Sequence, residues 1–213
     1  MEWISRRWKV GSSWRETDAG FRQRAFSSYA AYVARQKRKL GRIDLSRYDV
    51  NYRAILRERL EDLRLLRPGM SVLCLAARIG TEVKSFLDLG CFAVGIDLNP
   101  GPENRYVLHG DFHDLQFASG SVDLVFTNSL DHAFSVDRLI AESARVLKPD
   151  GLLLLEVSCG SGGGKRPGHY ESFWWASVAD VIALFEDRAF QLIRRRAFDA
   201  PWIGEQLCFR RPE

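Results

Sequence analysis

The 213 residues are 46% hydrophobic and 27% charged, with a formal net charge of +4, the balance of an ordinary globular protein long enough for one well-buried domain and a small appendage. No apolar run reaches the ~18 residues of a membrane helix, and Arg6, Arg7 and Lys9 among Trp3, Trp8 and Trp14 lack the apolar stretch and small-residue site of a secretory signal. Cys74, Cys91, Cys159 and Cys208 show no CxxC spacing and lie in or beside apolar runs, so they read as reduced, buried hydrophobes with no metal site, in a chain expected to be cytoplasmic.

Charge is spread unevenly. Residues 1–67 hold 17 Lys and Arg against 8 Asp and Glu, net +9, and the remainder is net −5. The chain therefore divides into a basic N-terminal arm and helical cap over 1–67 and a mildly acidic domain over 68–213. Residues 1–20 lack a period and are expected to form an extended arm that docks through its tryptophans. Phe21 to Lys39 predicts a helix with Phe26, Tyr29, Ala30 and Val33 along one stripe. Its cationic end, Arg35, Lys37, Arg38 and Lys39, suits the helix dipole and so has a purely structural explanation. After a turn around Gly41 and Asp44, Ser46 can cap a second helix through about Leu66, which Pro68-Gly69 closes. Two helices are too few for a domain, so they are expected to pack on the sheet domain as a cap or edge cover.

Residues 71 to 97 organise the rest. Ser71 to Leu75 is a short apolar run suited to a strand buried on both faces; Ala76-Ala77-Arg78-Ile79-Gly80 is a turn. Val83, Phe86, Leu87 and Leu89 then recur at helical spacing before Gly90, and Phe92 to Ile96 is a second strand. Two strands joined by one helix must be parallel with a right-handed crossover. The turn after the first and Asp97 after the second then face one crevice beyond the strand ends. A carboxylate there can accept both hydroxyls of a ribose; the plainer reading makes Asp97-Leu98-Asn99-Pro100 a turn only.

Beyond it, Asn99 to Arg105 is a loop, Tyr106 to His109 a third strand, and Ser121 to Asn128 a fourth. A helix through Leu139, Ile140, Ala144, Val146 and Leu147 stops at Lys148-Pro149-Asp150-Gly151, and Leu152 to Val157 is apolar enough for a central strand. Cys159 to His169 is a glycine-rich loop, Trp175 to Asp187 a helix, and Phe190 to Phe198 and Gln206 to Arg210 are strands joined by a short turn that favours an antiparallel hairpin. The class is α/β: a Rossmann-like seven-stranded, mostly parallel sheet with helices on both faces and an N-terminal helical extension.

In this order the stretches VLCLAARIG, AVGIDLNP, HGDFHDLQFASGSVDLVFTN and LKPDGLLLLEV resemble the class I S-adenosylmethionine-dependent methyltransferases, of the type 11-like kind, over about residues 68 to 211. The resemblance implies S-adenosylmethionine as cofactor and a reversed final strand. It also implies that Asp97 and its neighbour Leu98 hold the ribose side, Asp111 the adenine amino group and Phe112 the adenine face, and that Asn128 lies near the methionine part. The first motif departs from the family pattern: Cys74 replaces an acid, and Ala76, Arg78 and Gly80 occupy a GxGxG turn that glycines usually fill. Glycine there lets backbone N–H groups approach a ligand closely. Either Arg78 swings out to meet a carboxylate or anionic acceptor, or the turn of Ala76, Ala77, Arg78 and Gly80 no longer supports methylation.

Methyl transfer is an in-line displacement that needs alignment, and a base when the nucleophile is a hydroxyl. His132, after the fourth strand, is the candidate base and Asp131 its orienter or a second base; the alternative makes Asp131 a helix cap and His132 a pocket wall. His113 reads as a loop residue. The run Gly162 to Tyr170 lacks P-loop spacing and is expected to be a mobile lid over the acceptor. The expected activity is methylation of a small acceptor, anionic ones included, without nucleic acid, membrane or metal. The rival is a catalytically inactive methyltransferase-fold protein that binds cofactor or serves as a scaffold.

Overall fold

Alternation along the strands decides how the sheet is buried. In the strand Ser71–Leu75, Val72 and Cys74 face one hydrophobic cluster, and Leu73 and Leu75 face another. Both faces are dry, as a parallel sheet with helices on each side requires. The computed structural model describes residues 14–17, 20–39 and 45–211, the side chains of Ser46 and Arg47 excepted. The expected arm over 1–20 lies outside the described residues but for 14–17 and 20, and so does the turn around Gly41 and Asp44.

In chain order the elements are β1 (Trp14–Glu16), β2 (Arg22–Arg24), α1 (Tyr29–Lys37), α2 (Ser46–Leu63), β3 (Ser71–Leu75), α3 (Thr81–Asp88), β4 (Phe92–Asp97), β5 (Val107–His109) and β6 (Val122–Thr127). There follow a 3-10 turn (Leu130–His132), α4 (Val136–Val146), β7 (Leu147–Ser158), β8 (Phe173–Trp174), α5 (Val178–Glu186), β9 (Gln191–Phe198) and β10 (Gly204–Arg210). The main sheet has seven strands in the order β5-β4-β3-β6-β7-β10-β9. Strands β5, β4, β3, β6 and β7 pair in parallel, and β10 runs antiparallel to both neighbours. The strand order turns at β3 and β6, which places a crevice over their carboxyl ends. The expected parallel sheet with one reversed strand is what forms.

Helices cover both faces. Tyr52, Leu56, Leu60 and Leu63 of α2 join Val83 and Phe86 of α3 over Cys74, Phe126 and Leu154. On the other face Leu139 and Ile140 of α4 and Val181 and Phe185 of α5 cover Leu75, Val125 and Leu155. A buried polar group pins α2: Arg59 Nη1 lies 2.9 Å from Glu156 Oε1, Tyr52 donates to Glu156 Oε2 at 2.7 Å and Gln206 to Oε1 at 3.0 Å.

The front of the chain departs from expectation. The helix expected over Phe21 to Lys39 is instead β2 followed by the shorter α1, because Ser28 caps α1 by accepting the Ala31 N–H at 3.1 Å. Phe21 is buried, stacking on Phe173 with centroids 5.1 Å apart. Strand β2 thereby pairs with β8, and β1 completes a small second sheet. Helix α2 begins with Leu45, not Ser46, at its N-cap, and ends at Leu63, earlier than expected, because Arg64 turns left-handed at φ 54°. The stretch around Pro149, expected as a turn, extends β7 instead, with Asp150 at φ 59° absorbing an irregularity in the ladder.

Candidate functional site

The turn after β3 keeps glycine's backbone without glycine's side chain. Ala76 has φ 54°, Arg78 φ 47° and Gly80 φ 84°, so all three motif positions are left-handed although two carry a Cβ, a conformation costing roughly 1–2 kcal/mol per non-glycine residue. The turn is held by Ala77 N–H to Ile96 O at 3.0 Å, Gly80 N–H to Ala77 O at 2.7 Å and Arg78 N–H to Asp97 Oδ2 at 3.1 Å. Glycine is needed opposite it: a Cβ on Gly95 would stand 2.7 Å from that of Ala77.

Asp97 ends β4 with Oδ1 accepting the Asn99 N–H at 2.7 Å. Ala76, Arg78, Asp97, Leu98 and Phe112 line one cleft with Ile96, Asn99, Gly110, Ser129 and His132. Tyr32, Gln36 and Lys39 form its remaining wall. These three belong to the front of the chain and were not read from the sequence as site residues; the phase of Tyr29, Tyr32, Gln36 and Lys39 on one helical face was the available signal. Gly80 is placed behind the turn, capping α3 against Tyr106. Ala77 and Asn128 border a small side cavity with Tyr48 and Glu82.

Asp111 points elsewhere. Its carboxylate accepts from Tyr29 OH and, through Oδ1, from the His113 backbone N–H at 2.9 Å and ring Nδ1 at 2.8 Å. His113 Nε2 accepts the N–H groups of Phe134 and Ser135 at 3.1 and 3.2 Å, which leaves the proton on Nδ1. Burial pushes the Asp111 carboxyl up, but the bonds from His113 and Tyr29 outweigh it and hold it at about 2. Gly110 and Phe112, not Asp111, face the cleft. The carboxylate that the resemblance gives to an adenine amino group thus also anchors α1.

A second, open cavity of about 350 Å³ adjoins the cleft, and Lys39, Arg78, Ser129 and His132 border both. His132 Nδ1 lies 3.1 Å from Tyr170 O, so this nitrogen carries the proton and Nε2 faces Lys39 Nζ at 2.6 Å. Burial and then the neighbouring charges of Lys39 and Arg78 act on this pair: His132 is pushed well below the usual imidazole range, and Lys39 is lowered to about 8. Burial raises Asp131 to about 6 and Glu82 to about 7. No described group donates to the buried Asp131 Oδ1, while Asn128 Nδ2 donates to Glu82 Oε1 at 3.0 Å. The base nitrogen of His132 is thus engaged by a cation.

The glycine loop is exposed, with its start tied down: Ser161 and Gly162 N–H groups bond Trp175 O and Ala176 O at 3.1 and 2.8 Å. Among the described residues no group of acidic, histidine or cysteine side chains is arranged to hold a metal ion, and no helix is long and apolar enough to cross a membrane.

Residues 73–155 match the model of a family described as methyltransferase domain. The chain carries the class I methyltransferase fold. Among solved structures with this fold is the Burkholderia thailandensis 1,6-didemethyltoxoflavin-N1-methyltransferase with bound 1,6-didemethyltoxoflavin and S-adenosylhomocysteine, at 16% identity and TM-score 0.64 over 94% of this chain and 100% of that one. The Pyrococcus horikoshii OT3 protein PH0226 matches at 20% identity and TM-score 0.62, over 76% of this chain and 91% of that one. The [4+2]-cyclase SpnF shares the fold at 15% identity and TM-score 0.60, over 74% and 80%. No curated protein matches the sequence. The methyltransferase fold reaches beyond the resemblance read from 68 to 211, since the Burkholderia structure superposes on nearly the whole chain.

Proposed function

We propose that this protein is an S-adenosylmethionine-dependent methyltransferase acting on a small molecule, with anionic acceptors included. The observation that carries the reading is the shared cleft of Asp97, Phe112 and the left-handed turn, opening at Arg78 and His132 onto a second cavity large enough for an acceptor. The residues fit the cofactor: Asp97 spends one lone pair of each oxygen on a backbone N–H and keeps the others for ribose hydroxyls. Leu98 and Phe112 would flank ribose and adenine, Ala76, Ala77 and Arg78 would form the turn beside them, with Gly80 supporting it, and Asn128 would border the methionine part. When bound, the cofactor supplies a methyl group on a sulfonium.

The chain's own work is alignment and proton handling. His132 borders both cleft and cavity and Asp131 borders the cavity beside it, where methyl and acceptor would meet. His132, fixed between Tyr170 O and Lys39, holds its place and keeps the neighbouring charge ordered; Asp131, with Oδ1 free of donors, is the better placed of the two to take a proton. The second reading, a non-catalytic cofactor-binding or scaffolding protein, draws on Ala76 and Arg78 where glycine is usual, and the retained left-handed backbone weighs against it. Calorimetric titration with S-adenosylhomocysteine and S-adenosylmethionine, followed by a turnover screen of small acceptors, separates the readings. Binding with turnover is expected; binding without turnover on any acceptor favours the non-catalytic cofactor-binding protein, and no binding overturns the methyltransferase reading and leaves a scaffold alone.

A further inference from the structure

The second cavity carries three features that no cofactor role absorbs. One is aromatic: Trp174, Trp175 and Trp202 all border it. Trp174 and Trp175 stack with centroids 5.4 Å apart at 17°, and their indole N–H groups are already spent on Ser161 Oγ at 2.8 Å and Ser158 O at 3.0 Å. Both are almost fully buried and offer the cavity only apolar ring edges and no hydrogen-bond donor, while half-buried Trp202 supplies open aromatic surface, a lining that favours a flat partner.

The second feature is cationic. Arg78, Lys165 and Arg166 border the cavity, and no described carboxylate lies within ion-pair distance of any of them. Glu156 in the same wall is matched by Arg59 at 2.9 Å and does not cancel them. The third is a pair of unmet acceptors: Asp131 Oδ1 and Glu171 Oε2 are buried and receive no hydrogen bond. A buried carboxylate oxygen without a donor is costly, and both residues border the cavity, where the N–H or O–H of a ligand is the nearest partner that could be added.

We propose that the acceptor is a flat-ringed molecule bearing an anionic substituent toward Lys165 and Arg166 and an O–H or N–H toward Asp131 and Glu171. This rests on the methyltransferase reading and sharpens it. The donor end lies beside His132, where the cofactor cleft opens into the cavity, so it is the end that is methylated. As the methyl carbon leaves the sulfonium sulfur and bonds to the acceptor O or N, the sulfur keeps the bonding electron pair, and the acceptor's proton passes to the Asp131 carboxylate.

The test is a four-compound panel followed by intrinsic tryptophan fluorescence and calorimetry, with and without S-adenosylhomocysteine. Para-hydroxybenzoate has ring, anion and O–H; benzoate lacks the O–H, phenol the anion, and para-hydroxycyclohexanecarboxylate the flat ring. Para-hydroxybenzoate is expected to bind about tenfold tighter than each of the others. The double variant Lys165→Ala/Arg166→Ala should lose the preference over phenol, and Asp131→Asn the preference over benzoate. Equal affinities across the panel, or no binding of any member by protein that binds S-adenosylhomocysteine, would overturn the proposal while leaving the methyltransferase reading intact. The preference without S-adenosylhomocysteine binding would retain the cavity assignment and sink the reading beneath it; failure of both would sink both. The wild-type panel decides even if a variant does not fold.

Discussion

Lys39 Nζ stands 2.6 Å from His132 Nε2, so the one basic nitrogen of the imidazole is covered by a side chain from the turn that follows α1. Burial and that cation together keep His132 neutral where a free imidazole would titrate, near ~6.5. Its NMR signals in the wild type should stay flat through this range and those of Lys39→Met should titrate upward toward it. Stability follows with a definite sign: below ~6.5 the unfolded chain takes up a proton that the folded chain refuses, so stability falls as pH falls, less steeply in Lys39→Met. An ordinary His132 titration in the wild type would show that the pair does not form.

The strained turn gives a second expectation. Ala76→Gly removes a left-handed penalty of roughly 1–2 kcal/mol and adds back roughly 0.5–1 kcal/mol of unfolded-chain entropy. The variant should be more stable by about 0.5–1 kcal/mol in urea unfolding. Arg78→Gly gains similarly in backbone terms but loses a cation shared by cleft and cavity, so its stability should rise while affinity for an anionic acceptor falls. A destabilised Ala76→Gly would mean that the methyl group does packing work that outweighs its strain.

Asp97→Ala should weaken S-adenosylhomocysteine binding by roughly 2 kcal/mol, the scale of charge-assisted hydrogen bonds to a ribose. Asp97 also holds the turn through Arg78 N–H and Asn99 N–H, so Asp97→Asn, which keeps an acceptor oxygen, should recover part of the loss. Calorimetry on the three proteins checks the order; equal affinities would remove Asp97 from the site.

Arg59 and Glu156 are both almost fully buried, and Phe198 lies under the guanidinium at 3.9 Å. Removing one charge strands the other, at a typical cost of about 3–5 kcal/mol. Arg59→Met should be destabilised on this scale, and adding Glu156→Gln should return most of the loss. Urea unfolding of the single and double variants reads the coupling directly, and additive effects would show that the pair is not coupled.

The sequence discloses only as much as its local signals reach. Runs such as Leu152 to Val157 are apolar because both faces of the sheet are covered, so β3, β4, β6 and β7 could be found from composition alone, and Asp97 followed from its place at a strand end. Phe21 looked helical because its burial against Phe173 depends on a residue far along the chain. Lys39 was hidden by a sufficient local reason, the helix dipole, for having a cation there. The tie from Tyr29 to Asp111 was hidden because nothing near GDF announces that Tyr29 would reach it. In each case the missing information was tertiary.

The Arg24 side chain bonds Glu171 O across 147 residues of sequence, close to where β2 pairs with β8. Strands β3 to β7 therefore find their partners within the sheet's own stretch of sequence, whereas β2 needs a strand far along the chain. Closing so long a loop carries an entropic cost that only the finished sheet can offset. The wall of Tyr32, Gln36 and Lys39 is thus held by partners of long sequence separation, His113 and Phe134 for Tyr32, Ser172 for Gln36 and His132 for Lys39, so it takes shape only once those later segments are in place.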